Sequence, residues 1–183
     1  MPPLYALAEG TATLGRMLEP FDAWSEFNVA VAGAGAALGG LLIVALSVNI
    51  RMIAESRGLA ARASASIAAL ILGVALCCLA LIPGQEPTGY GIQVLVGTAL
   101  CGFVVVRSAL AVRRDAVQTG FGRYTAERIA LFAAPPVLYA VGGVLLIGLH
   151  PAQVGLVVVA VGTILAIVTT VLFSWVALVE VLR

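Results

Sequence analysis

Lysine is absent from this chain, and charge of either sign is scarce. Ten arginines, nine acidic residues and one histidine are spread over 183 residues, so only 10% of side chains carry charge. A soluble domain carries about 25%. A net charge of +1 removes the electrostatic case for nucleic-acid binding. The all-arginine basic set reads as a compositional bias of the genome. Residues 27–50, 63–85, 87–106 and 129–179 contain no Asp, Glu, Lys or Arg. Buried mid-membrane charge marks proton and ion pathways, and none is available here.

Catalytic constellations are lacking too. The three cysteines, Cys77, Cys78 and Cys101, form no Cys-x-x-Cys pair and fall inside apolar runs, where they act as small packing residues. His150 is the only histidine. No acid or cysteine adjoins it, although Glu86 falls on the same side of the expected topology. Zinc-protease motifs and Gly-rich nucleotide loops are missing. The expectation is a non-enzymatic protein with no cofactor, no metal site and no catalytic residue.

What is present is apolar length. Hydrophobic residues make up 62% of the chain, and the mean hydropathy is +1.12. A helix needs roughly 20 apolar residues to cross a bilayer. The 129–179 run is too long for one crossing, and His150-Pro151 divides it. The runs are continuous rather than alternating, which favours helices over a barrel. The fold class is therefore all-α: an integral bundle of five transmembrane helices at about 28–53, 63–83, 88–112, 126–149 and 151–179. Residues 1–26 form an N-terminal segment outside the membrane, and 27–183 form the membrane domain.

Arginine in short loops marks the cytoplasmic side. Arg51, Arg57 and Arg62 follow the first span, against Glu55. Arg113, Arg114, Arg123 and Arg128 follow the third, with Arg107 in that span's last turns. Arg183 ends the chain. The alternate connections carry no arginine, and the N-terminal tail has Glu9, Glu19, Asp22 and Glu26 against Arg16. Five spans place nine of the ten arginines on one side; four would break the pattern. The expected topology is N-terminus outside and C-terminus cytoplasmic. Met1-Pro2-Pro3 lacks a basic n-region, so no secretory signal is expected.

Within the tail, Leu4, Leu7, Leu14 and Leu18 share a helical face that Pro20 ends, consistent with a short surface helix. Phe21, Trp24 and Phe27 read as an aromatic anchor at the outer interface. The first span is rich in small residues, with Gly35 and Gly39, and Ala36 and Gly40, four apart. Ala65, Ala69, Gly73 and Cys77 repeat the step in the second span; Gly162, Ala166, Thr170 and Ser174 repeat it in the fifth. Such stripes let helices approach closely, within one bundle or between subunits. Gly39→Leu should therefore disturb assembly. The hydroxyls of Thr170 and Ser174 are candidates for bonds across helices. Pro135-Pro136 predicts a kink in the fourth span, and Pro83-Gly84 a stop after the second. Ser47, Asn49, Thr170 and Ser174 are candidates for a polar path.

The small-residue run in 27–51, followed by Leu46-Ser47-Val48-Asn49-Ile50-Arg51, and Ile82-Pro83-Gly84-Gln85 after the second span resemble a group of small, largely uncharacterised, multi-span bacterial membrane proteins. The likeness spans roughly residues 27–90. It implies a bacterial inner (cytoplasmic) membrane location. Some members carry a label suggesting modulation of a membrane-bound AAA protease. The likeness transfers no catalytic residue and no substrate.

Two functions remain open from the residues. One is an accessory or regulatory subunit acting through helix packing, its partners being the lipid bilayer and either a second copy or another membrane protein. The other is a homo-oligomeric channel or carrier for a small neutral or weakly polar solute.

Overall fold

The structure, a computed structural model, describes residues 21–48, 50–51, 57–119, 125–148 and 151–181. The expected surface helix before Pro20, together with Asn49, Arg123 and His150, lies outside the described residues. For Arg57, Arg114 and Arg128 only the backbone is described.

Every regular element among the described residues is helical. A 3-10 turn, Asp22–Trp24, leads into α1 (Ser25–Val48); α2 is Arg57–Ala80, α3 Pro87–Thr119, α4 Thr125–Gly148 and α5 Gln153–Val181. All five contain a stretch long and apolar enough to cross a membrane, the shortest being the 20 residues Ile129–Gly148. At about 1.5 Å per residue that stretch matches a hydrocarbon core of about 30 Å. The architecture is thus an all-α bundle whose five long helices are each long and apolar enough to span a membrane.

Element bounds differ from the sequence expectation in physically interpretable ways. Helix character already begins at Asp22, so residues 22–26 are continuous with the first helix. The Ser25 hydroxyl donates to the Asp22 carbonyl (2.9 Å), and Glu26 sits in the first turn, where the helix dipole favours an acid. α2 starts at Arg57, six residues before the apolar run, and stops at Ala80. Leu81 and Ile82 then make tightened bonds to Cys78 and Leu79 (both 3.2 Å), and Gly84 takes φ +71°, which a side chain would resist. α3 runs past 112 to Thr119. Its extension is Arg-rich, and hydropathy alone does not register a helix leaving the bilayer. Pro135 and Pro136 lie inside α4, which stays helical from Thr125 to Gly148.

α2 is the centre of the bundle. It packs against each of the other four helices, while α3, α4 and α5 pack in sequence order and α5 touches α1. Accordingly 50% of the apolar stretch of α2 and of α5 is buried, against 11% for α1. The core is graded along the bundle. At the end where the chain enters α1, Phe21, Tyr90, Tyr139, Leu76 and Leu146 fill it. Towards the arginine end Ala65, Ala69 and Ala166 dominate, with Phe132 and Val105.

Candidate functional site

The small-residue stripes of α2 and α5 face inward. Ala65, Ala69 and Ala166 are fully enclosed, and Cys77 nearly so. A Cβ on Gly73 would lie 2.6 Å from Tyr139 Oη and 3.0 Å from a Thr163 methyl; one on Gly162 would lie 3.0 Å from the Tyr139 ring. These glycines therefore admit the Tyr139 ring into the space where α2, α4 and α5 meet. Both stripes are spent on packing within one chain.

Two further close approaches carry no four-residue pattern and were not legible from spacing. A Cβ on Gly91 of α3 would meet the Gly143 carbonyl of α4 at 3.0 Å, and one on Gly142 would meet the Gly155 carbonyl of α5 at 3.1 Å. The adjacent glycines 142 and 143 face opposite neighbours, so α4 sits backbone-close to both.

α1 behaves differently. Gly35 is buried, with room for no more than a hydrogen: a Cβ there would lie 2.6 Å from the Val74 side chain. Gly39 has only an ordinary 3.8 Å approach to Leu70, and Gly33 and Gly40 meet nothing within 4 Å. The tight α1–α2 contact is therefore at Gly35, not at Gly39. Gly33, Ala36, Ala37 and Gly40 are all exposed. Spaced three and four apart, they make one smooth outward face.

The polar candidates separate. Ser47 is exposed and donates to its own helix at the Ile43 carbonyl (2.7 Å). Thr170 is buried between α5 and α2; its hydroxyl lies 2.7 Å from the Ala166 carbonyl and 3.3 Å from that of Ser66 on α2. Ser174 donates to the Thr170 carbonyl (2.9 Å). The α5 hydroxyls thus bond chiefly within their helix, a normal outlet for Ser and Thr in apolar surroundings. Between side chains of α2 and α3, Ser64 and Ser108 approach to 3.3 Å. Of the arginines, Arg62 stacks over the Phe173 ring (5.6 Å) and Arg107 over Phe103 (5.6 Å), each placing its guanidinium over an aromatic face.

Phe21 is not an interfacial anchor. It is buried and packs edge-on to Tyr90, with ring centroids 5.3 Å apart at 82°. The Tyr90 hydroxyl donates to the Leu76 carbonyl of α2 (3.1 Å). Trp24 meets Phe27 edge-on (5.6 Å).

Below this aromatic group lies a crevice between α1 and α5, floored by Cys77 and Ala80 of α2 and Tyr90 of α3. Its void is about 10 Å³, the scale of one water. Asn28 of α1 lines it and is only 8% exposed. Its side-chain amide makes no hydrogen bond among the described residues. Thr163, on the opposite wall, donates to the Val159 carbonyl (3.0 Å). Nearby, Tyr139 Oη is enclosed without a hydrogen-bonding partner of good geometry. Neither Asn28 nor Tyr139 stands out in the sequence as more than a neutral polar residue in an apolar run.

The chain matches no family model, no curated protein and no solved structure.

Proposed function

We propose that this protein is a non-enzymatic, multi-pass protein of the bacterial inner membrane that serves as an accessory or regulatory subunit through transmembrane helix packing. The observation that carries the reading is the outward face of α1 formed by Gly33, Ala36, Ala37 and Gly40. The comparable stripes on α2 and α5 are consumed inside the bundle. Among the described residues nothing covers the α1 face, and its smoothness suits a second helix. The N-terminus is outside and the C-terminus cytoplasmic, a reading supported by the one-sided distribution of arginine.

Cross-linking in native membranes, followed by native mass measurement in mild detergent, tests this. A stoichiometric partner or a discrete homo-oligomer is expected, lost when Gly33, Ala37 and Gly40 are replaced by leucine. A lone monomer under both conditions overturns it.

The channel or carrier reading requires a pathway between copies of the chain. The centre of the protomer is filled by Tyr139, Leu76 and Val94. That reading uses the same α1 face and predicts a ring of copies rather than a foreign partner.

A further inference from the structure

We propose that the crevice between α1 and α5 binds the neutral hydroxyl head of a membrane-dissolved amphiphile. The apolar tail then lies in the α1–α5 seam, and the Asn28 side chain holds the head. This goes beyond the packing role and does not depend on it.

Three observations converge. A void of about 10 Å³ is lined by α1 on one side and α5 on the other. Asn28, 8% exposed, lines that void, and its amide carries two N–H donors and a carbonyl acceptor that make no hydrogen bond among the described residues. The walls supply a further acceptor: Tyr90 Oη has committed its proton to the Leu76 carbonyl and retains lone pairs, and Thr163 adds a second hydroxyl to the lining. A group that both donates and accepts satisfies this arrangement. A hydroxyl does; a hydrocarbon does not. No charged side chain lines the void, so a charged headgroup would be desolvated without a counter-ion. The void admits the head alone, so the tail must leave along the seam beside Ala160, which lines the crevice.

The alternative occupant of the same chemistry is a single water. The test separates the two. Full-length protein in lipid nanodiscs is photolabelled with a long-chain alcohol carrying a diazirine close to its hydroxyl. A matched probe bears a trimethylammonium head. Saturable labelling by the alcohol alone is expected within 24–28 and 156–163, competed by unlabelled alcohol. Asn28→Leu should weaken half-saturation by about tenfold, the loss of roughly one hydrogen bond in apolar surroundings. Ala160→Phe, which fills the seam without touching the amide, should abolish labelling while a monodisperse elution profile shows the bundle intact. Labelling that is non-saturable, indifferent to headgroup, or unchanged in both variants overturns the proposal and leaves a structural water as the occupant.

Discussion

The hydroxyl of Tyr139 stands over Gly73, so close that a methyl group on that glycine would come within 2.6 Å of it. The phenol makes no hydrogen bond of good geometry there, so the contact is one of shape rather than of bonding. The ring locks α4 against α2 and α5.

Gly73→Ala should cost about 1–3 kcal/mol through overpacking, read as a lower denaturation midpoint in detergent. Tyr139→Phe removes an unpartnered oxygen, so it should leave stability unchanged or raise it by up to about 1 kcal/mol. Combining the two should recover part of the Gly73→Ala loss, because the sites share the clash. A strongly destabilised Tyr139→Phe would show that the hydroxyl is bonded after all.

On α1, two glycines five residues apart should respond oppositely. Gly35→Leu drives a side chain into Val74 and should unfold or loosen the bundle, with a penalty of about 1–3 kcal/mol or more. A Cβ on Gly40 meets nothing within 4 Å, so Gly40→Leu should leave the midpoint of the isolated bundle unchanged while weakening association. Thermal unfolding and native mass measured on the same samples separate the outcomes.

Thr170 lies enclosed between α5 and α2. With Cys77, Cys78 and Cys101 replaced by alanine, a Thr170→Cys variant in sealed vesicles should not react with a membrane-impermeant maleimide from either side. Rapid modification would establish a water-filled route past this point and favour the channel.

Replacing Arg51, Arg57 and Arg62 together with neutral residues should disturb the orientation of the first hairpin, read by a topology reporter placed at residue 58. A reporter that stays cytoplasmic shows that the second arginine cluster suffices. Arg62 should also contribute packing, since its guanidinium covers Phe173; a single Arg62→Gln variant is expected to lower stability modestly, by about 0.5–1 kcal/mol.

The architecture was legible because bilayer solvation demands uninterrupted apolar length, and the chain provides it five times. Helix ends were less so. α2 begins in the charged stretch at Arg57, and α3 continues among arginines beyond Val112, where backbone hydrogen bonding persists after hydropathy has fallen. The stripes were visible, but not which way they face. Spacing groups Gly35 with Gly39 and Gly40 in one helix. Only the position of Val74 decides that the first is enclosed and the last is open. Asn28 was invisible for the same reason: an amide in an apolar run gains meaning only when four helices arrange a void beside it.

Ser66 and Thr170 meet across 104 residues of chain, and that separation has a consequence for biogenesis. Helices are delivered to the membrane in order, yet the one that every other helix leans on is delivered second. Until α5 arrives, Ala65, Ala69 and Gly73 have only part of their eventual cover and must be tolerated by lipid or by the insertion machinery. A chain that lacked α5 would leave its most closely fitted groove open along α2, since Ala166 and Thr163 of α5 are what cover it.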